Sequence, residues 1–312
     1  MSAKTGTGKY EKLLERCKSV GAIPTAVAHP CEVSALTGAV EAAQAGLIEP
    51  ILVGPAATIE EIAKSANVDL GNIEIVDAAH SVDSARKAVE LVKQGRAEVL
   101  MKGSLHSDEL LSAIVSRDGG LRTGRRISHV FVMDVPTYHK VLVVTDAAIN
   151  IAPTLEDKVD ICQNAIDLCV SLGVEKPKLA ILAAVEVVNS KMQATLDAAA
   201  LCKMAERGQI KGGILDGPLA FDNAISKQAA EIKGIKSAVA GDPDILLAPD
   251  LEAGNILAKQ LTFLANADSA GLVLGAKVPV ILTSRADSVR SRIASCAVAT
   301  LVAHARRTIC RL

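Results

Sequence analysis

Short apolar runs alternate with helical patterns along most of this 312-residue chain, and no other feature constrains the fold as strongly. Runs such as Val99–Met101 and Ile245–Leu247 have the length of buried strands, and the segments after them repeat apolar residues at helical spacing. Strands that alternate with helices form parallel sheets covered by helices. Only a few residues separate the runs Ser128–Asp134 and Lys140–Thr145, which predicts a hairpin and therefore some antiparallel pairing.

The length of the chain predicts about two domains, because single cores seldom grow beyond roughly 250–300 residues. We place the boundaries near residues 146 and 275. Residues 1–146 and 275–312 then form one discontinuous α/β domain, and residues 147–274 form the other. The predicted class is α/β, with helices on both faces of the sheets.

Composition excludes several classes of function. Aromatic residues make up 2% of the chain and the net charge is −1, so neither a stacking surface nor a basic face suggests nucleic acid. No apolar run approaches the roughly 20 residues of a membrane helix. The N-terminal segment lacks the apolar centre of a signal peptide, and the seven cysteines form no CxxC pair. We therefore expect a cytoplasmic protein without nucleic-acid or membrane partners.

The loop that follows the apolar run Pro279–Leu282 combines a hydroxyl, a guanidinium and a carboxylate, on Ser284, Arg285 and Asp287. A helical pattern begins at Val289 directly after it. In α/β proteins, ligands bind beyond the carboxyl ends of strands, and arginine suits oxyanions such as phosphate. This loop is therefore predicted to bind an anion.

A second polar loop also joins a strand to a helix and carries Lys102, Gly103, Ser104 and His106. Gly103 permits a tight turn or the close approach of a ligand, and Ser107 can cap the helix that follows. Turn and cap chemistry alone would account for these residues. Three polar side chains on one such loop favour ligand binding over that simpler reading.

The segment that precedes the hairpin contains three arginines, Arg122, Arg125 and Arg126. They form either a solvated face or, in part, an oxyanion site. Asp146 and Asn150, at the end of the hairpin, are either structural turn residues or residues that line a cleft.

Two acidic loops, the Asp216-Gly217-Pro218 turn and the segment around Asp250 and Glu252, follow predicted strands. Their spacing matches no known metal loop, so no metal is expected. The chain has neither a GxGxxG dinucleotide fingerprint nor a GxSxG nucleophile motif. Transfer between two bound substrates is therefore favoured over a covalent enzyme intermediate.

Taken together, these loops resemble those of the phosphate acetyltransferase and phosphate butyryltransferase family. The residue sequence of Leu282–Ser288 looks closer to the butyryltransferase branch. The resembling blocks occur in the family's order: Met101–His106, Arg126–Asp134 with Thr145–Thr154, Asp216–Ala224, Leu246–Asn255 and Ala276–Ser288. The resemblance implies a two-domain α/β/α fold similar to isocitrate and isopropylmalate dehydrogenases, with the active site in an interdomain cleft. It also implies a homodimer.

The same resemblance implies the reaction acyl-CoA plus phosphate giving acyl phosphate plus CoA, with both as substrates and no tightly bound cofactor. Ser284 matches the family's serine near the reacting carbonyl, and Arg285 and Arg126 match its phosphate-binding arginines. Further substrate contacts are expected from the other polar residues of the resembling blocks: Lys102, Gly103, Ser104, His106, Asn150, Asp216 and Lys277.

Two positions depart from the acetyltransferase branch. Ser291 occupies the position of its proposed catalytic carboxylate, and Phe263 occupies that of a helix arginine. Asp287 is the substitute candidate for the base, because it lies close to Ser284 in the sequence. Phe263 removes a charge and adds apolar surface, which suits a butyryl-like substrate.

Three other functions stay open. The missing carboxylate at Ser291 keeps a CoA- or acyl-phosphate-binding protein with weak or no activity possible. An NAD-dependent hydroxyacid dehydrogenase on the related fold would need a metal-binding Asp cluster and adenine-site motifs, which we do not find. An enzyme that takes its acyl group from acyl carrier protein would need a basic docking face.

Overall fold

The computed structural model describes residues 8–283 and 287–309. The strands within these ranges are β1 (Ile23–Ala28), β2 (Ile48–Gly54), β3 (Glu74–Asp77), β4 (Val99–Lys102), β5 (Ser128–Asp134), β6 (Leu142–Thr145), β7 (Lys178–Leu182), β8 (Ile214–Leu219), β9 (Ile245–Leu247), β10 (Asp268–Leu274) and β11 (Val280–Ile281). The helices are α1 (Lys9–Lys18), α2 (Val33–Gln44), α3 (Ala56–Ser65), α4 (Ser81–Lys93), α5 (Ser107–Val115), α6 (Leu155–Ser171), α7 (Gln193–Glu206), α8 (Phe221–Ile225), α9 (Lys227–Ile232), α10 (Leu251–Phe263) and α11 (Val289–Ile309).

The described residues pack into two compact units. Within the described ranges, the terminal unit comprises residues 10–125, 270–283 and 287–309, and the central unit comprises residues 8–9 and 126–269. The chain thus changes unit near residues 126 and 270, rather than near 146 and 275. The reason is the β5–β6 hairpin, since β6 also pairs with β9 and both strands therefore pack with the central unit.

In the terminal unit the strands follow the order β3-β2-β1-β4-β11-β10. β1 is parallel to β2 and β4, and β11 is parallel to β4 but antiparallel to β10. All residues of β1 except Pro24 are buried, as expected for a strand covered by helices on both faces. The carboxyl ends of β1, β4 and β11 consequently meet at one edge of this sheet.

In the central unit the order is β5-β6-β9-β7-β8. The predicted hairpin is confirmed, because β5 and β6 are antiparallel, whereas β6, β9, β7 and β8 are parallel neighbours. β8 continues through the Gly217–Pro218 pair to Leu219, with a register shift opposite Ala180 and Leu182. The expectation that this strand ends at Asp216 is therefore wrong.

The α/β class predicted from the alternation is confirmed by the mixed strand pairing and by the eleven helices of residues 8–283 and 287–309. Three helices, α1, α8 and α9, were not predicted. Two of them have only five or six residues, which is too short for helical periodicity to show. In the described part of the chain, no helix is long and apolar enough to cross a membrane.

Candidate functional site

The loop after β4 lies directly against the end of β1. The Gly103 N–H donates to the Ala28 carbonyl oxygen and the Ser104 N–H to that of His29, each at 2.8 Å. A Cβ added at Gly103 would lie 2.4 Å from both carbonyl oxygens. Glycine is therefore required here for the close approach of two backbones, whereas the sequence predicted a tight turn or the close approach of a ligand.

The Ser104 hydroxyl holds two loops together at this edge. It donates to the His29 carbonyl oxygen at 2.8 Å and accepts from the Cys31 N–H at 3.2 Å. His29 itself has a φ of 55°, in the left-handed region. Burial raises the pKa of the Cys31 thiol to about 11, so this cysteine is a poor nucleophile at neutral pH.

His106 is exposed and is the N-cap of α5, whereas Ser107 is the first helical residue rather than the predicted cap. The His106 N–H donates to Glu109 Oε2 at 2.9 Å, and Ser81 Oγ donates to Glu109 Oε1 at 2.7 Å. These two bonds, the one from Ser81 first, lower the pKa of Glu109 against an opposing effect of burial. The loop is thus anchored at its far end by a charged cap.

The side chain of Lys102 is buried and lines a small, nearly filled pocket at the carboxyl ends of β4 and β11. Arg292, in α11, is buried and lines the same pocket. We did not predict Arg292 from the sequence. The one available signal was its place in the first turns of a helix whose middle part is built mainly from small apolar residues.

The predicted anion loop is described only in part. Ser284 and Arg285 lie outside the described residues. Asp287 is half-buried. Ser291 lies in the first turn of α11, where its N–H donates to Ser288 Oγ at 3.1 Å.

Lys277 lies apart from these residues. It is exposed in the turn before β11, and its N–H donates to the Leu121 carbonyl oxygen at 2.9 Å. Because β11 runs parallel to β4, this turn is at the opposite edge of the sheet from Gly103. The structure therefore does not bring Lys277 together with the loop after β4, and its predicted role as a substrate contact stays a prediction.

In the central unit, Arg126 is held by Asn150. Arg126 Nε donates to Asn150 Oδ1 at 2.5 Å, and Asn150 Nδ2 donates to the Ile127 carbonyl oxygen at 3.0 Å and to Asp146 Oδ2 at 2.5 Å. Arg126 also forms an ion pair with Asp157 at 3.1 Å, yet half of its side chain remains exposed. The guanidinium is therefore oriented but still accessible to an anion.

The Asp146 carboxylate organises the turn after β6. Its oxygens accept from the N–H groups of Ala148 at 2.9 Å, Ile149 at 3.1 Å and Asn150 at 3.3 Å. Nearby, burial lowers the pKa of His129 to about 4, although the Asp146 charge opposes this shift. Asp146 is thus a turn residue, and Asn150 is both a turn residue and a support for Arg126.

Asp216 is not at the end of a strand. It lies within β8, accepts from the Gly217 N–H at 2.9 Å and lies close enough to Cys202 to raise the pKa of that thiol. The strand continues where the Asp-Gly-Pro sequence suggested a turn. The predicted role of Asp216 as a substrate contact stays a prediction.

None of the acidic loops forms a metal site in the described ranges, where no group of three His, Cys, Asp or Glu side chains could hold an ion. The six cysteines that can be placed are free thiols. Burial raises the pKa of Cys202 to about 12, and that of Cys296 to about 12. These thiols belong to the packed interior rather than to a nucleophilic site.

The family model "Phosphate acetyl/butaryl transferase" matches residues 78–300. A phosphate acetyltransferase of Rhizobium meliloti is 61% identical over 299 residues, covering 96% of this chain and 95% of that protein. A phosphate butyryltransferase of Clostridium beijerinckii is 44% identical, with coverages of 94% and 97%. The crystal structure of a branched-chain phosphotransacylase from Enterococcus faecalis V583 has a TM-score of 0.77 and 29% identity, covering 90% of this chain and 99% of that one.

Proposed function

The chain belongs to the phosphate acetyl/butyryltransferase family, and we propose that it transfers a short acyl group reversibly between coenzyme A and inorganic phosphate. The observation that carries this proposal is the likeness, over almost the whole length, to relatives named for these two transfers. The chain is thus an acyltransferase. It forms acyl phosphate and free CoA from acyl-CoA and phosphate.

We assign phosphate binding to Arg126 and Arg285, and contact with the reacting carbonyl to Ser284. The geometry of Arg126 supports this assignment, since Asn150 fixes its guanidinium while half of the side chain stays accessible. The remaining substrate contacts are assigned to the loop after β4, whose Lys102, Gly103, Ser104 and His106 follow a strand at its carboxyl end. Asp216 and Lys277 are kept as proposed substrate contacts, on the ground of the family resemblance alone.

The chemistry requires a phosphate oxygen to attack the thioester carbonyl carbon. A C–O bond forms and the C–S bond breaks, so the leaving sulfur takes the electron pair and a proton to become the CoA thiol. Holding the phosphate against the carbonyl supplies the proximity effect, and N–H groups with Ser284 would stabilise the developing oxyanion. In the reverse direction Asp287 is the candidate base for the CoA thiol.

The test is CoA release from acyl-CoAs of increasing chain length, acetyl to octanoyl, each with and without phosphate and followed with a thiol reagent. Phosphate-dependent release is expected. The residues of Leu282–Ser288 look closer to the butyryltransferase branch, whereas the phosphate acetyltransferase relative is more identical to this chain than the phosphate butyryltransferase relative is. The preferred acyl chain length decides between an acetyl and a butyryl substrate. Release without phosphate would indicate a thioesterase. No release from any acyl-CoA would contradict the proposal, and CoA binding without turnover would favour a binding protein.

The residue assignments are tested by Arg126→Met and Arg285→Met, which should raise the KM for phosphate strongly and lower kcat. Arg125→Met is the matched control, because it removes a cation from the same segment. Asp287→Asn should change the pH profile of kcat more than either KM. Unaltered phosphate kinetics in the two arginine variants would remove those residues from the site.

We also propose that the enzyme is a cytoplasmic homodimer, as the family resemblance implies. Two large apolar side chains at the end of α10 support a surface that a second copy of the chain covers, since Phe263 is 75% and Leu264 is 81% exposed in the single chain. Light scattering on the purified protein measures the mass directly, and a monomer at micromolar concentration would contradict the dimer.

A further inference from the structure

One face of helix α6 contacts both the backbone and the side chain of Arg126. The Arg126 N–H donates to Asp160 Oδ2 at 2.8 Å, and Asn164 Nδ2 donates to the Arg126 carbonyl oxygen at 3.0 Å. Arg126 Nη1 pairs with Asp157 Oδ1 at 3.1 Å. Residues 157, 160 and 164 are spaced i, i+3 and i+7, so their side chains lie on the same face of the helix. A single helix face therefore holds this residue at three points.

Helix α6 is itself anchored independently of Arg126. The second oxygen of Asp157, Oδ2, accepts from the Thr154 N–H at 3.0 Å in the capping box that begins the helix. The next residue, Lys158, is buried and pairs with Asp197 of α7 at 2.6 Å. The helix face that contacts Arg126 is consequently a rigid support.

Asn150 holds the guanidinium at a further point, and its neighbours decide the orientation of its amide. Asn150 Nδ2 donates to Asp146 Oδ2 and to the Ile127 carbonyl oxygen, which can only accept, so its Oδ1 is directed at Arg126 Nε. Nε and Nη1 of Arg126 thus have partners, whereas Nη2 has none among the described residues. Half of the side chain is exposed. The guanidinium therefore presents one end to an incoming anion.

These contacts exceed what the stability of the loop requires. Fixing the loop before β5 would need the two bonds to the backbone of Arg126, but not those to Nε and Nη1. An exposed arginine loses rotamer freedom when it binds a ligand, and contacts that orient it beforehand reduce that loss. Attack on a thioester also depends strongly on the position of the attacking phosphate. The arrangement therefore favours a role in positioning.

We propose that Asp160 and Asn164 are positioning residues that act on phosphate through Arg126. The inference rests on the proposed function, in which Arg126 binds phosphate. We did not predict either residue from the sequence, because Arg126 lies 34 and 38 positions away from them. Asp157 has the same role but also caps α6, so its substitution would mix two effects.

The main test compares Asp160→Ala and Asp160→Asn with the matched control Glu156→Ala. Asp160→Ala should lower kcat/KM for phosphate roughly 10- to 100-fold, the loss expected for a misplacement of about 1 Å, and leave the KM for acyl-CoA near its wild-type value. Asp160→Asn keeps an oxygen that can accept from the Arg126 N–H, so it should restore most of the activity. Glu156 is exposed on the same helix, and its substitution should change neither constant.

A double-variant cycle separates positioning from a purely structural role. Asp160→Ala should have little further effect on phosphate kinetics when Arg126 is already replaced by methionine, because the residue through which it acts is gone. A structural role would instead lower kcat/KM by the same factor in both backgrounds. Equal factors, or wild-type phosphate kinetics in Asp160→Ala, would overturn the inference.

A binding measurement separates this inference from the proposed function. Inorganic phosphate should raise the Tm of the wild type, and Asp160→Ala should reduce that rise even if no acyl-CoA is turned over. If Asp160→Ala does not fold, Asn164→Ala is measured in its place. Phosphate-dependent CoA release by the wild type, together with an unreduced rise in the folded variant, would overturn the inference and leave the proposed function standing.

Discussion

At the scale of single residues, backbone crowding explains positions that side-chain chemistry alone leaves ambiguous. The sequence allowed Gly103 either a tight turn or the approach of a ligand, and the structure shows the approach of a second backbone. The sequence left Asn150 as either a turn residue or a residue that lines a cleft. Its four hydrogen bonds, to Arg126, Ile127 and Asp146, show that it supports the turn and also orients Arg126. One side chain can meet both demands because an amide both donates and accepts.

We predict that Gly103→Ala destabilises the protein by about 2–3 kcal/mol, because its Cβ would overlap the Ala28 and His29 carbonyl oxygens. Urea unfolding of the variant and the wild type measures the difference. Gly124→Ala is the control, since a Cβ at Gly124 has no atom of the described chain within 4 Å. Equal midpoints for Gly103→Ala and the wild type would show that the two loops can separate at little cost.

At the scale of elements, the capping of α6 has a local sequence signal, whereas long-range pairing has none. Thr154 and Asp157 are three residues apart and form a capping box at the start of α6, with Thr154 Oγ1 accepting from the Asp157 N–H at 3.2 Å. The same helix carries Lys158, which forms a buried ion pair at 2.6 Å with Asp197 of α7. Residues this far apart in the sequence have no local signal that marks them as partners.

We predict that Lys158→Met and Asp197→Leu each destabilise the protein by about 3–5 kcal/mol, because each leaves a buried charge without its partner. The double variant should lose clearly less than the sum of the two. Chemical denaturation of the wild type, the two single variants and the double variant measures the coupling energy between the two residues. The exposed pair of Arg96 and Glu74 is the control, and Arg96→Met should cost less than about 1 kcal/mol. Additive losses at Lys158 and Asp197 would mean that the ion pair is solvated.

At the scale of the whole molecule, stability depends on a histidine that must stay neutral. His129 is buried in β5, and burial lowers its pKa to about 4 from an unfolded value near 6.5. Between about pH 4 and pH 6.5, His129 therefore binds a proton in the unfolded chain but stays neutral in the folded chain. The contribution of neutral His129 to the free energy of unfolding is fully present above about pH 6.5 and is lost progressively as the pH falls towards 4.

We predict that the free energy of unfolding of the wild type falls between pH 7 and pH 5, and that it falls less in His129→Gln. Urea titrations at several pH values provide the measurement. His304→Gln is the matched control, because it removes an exposed histidine from α11. A His129→Gln variant with the wild-type slope would show that other groups set the acid sensitivity.

The sequence by itself determined the α/β class, the hairpin, the strands β5 and β9 and the family, because hydrophobic periodicity and loop sequence motifs are local properties of the chain. Only the tertiary structure decided which loops share an edge. Lys277 and Thr283 are close in sequence, yet β11 separates them and places them at opposite edges of the sheet. The burial of Arg292 beside Lys102 likewise follows only from the packing of α11. Strand direction and burial depend on contacts between distant residues, and those arise only when the chain has packed.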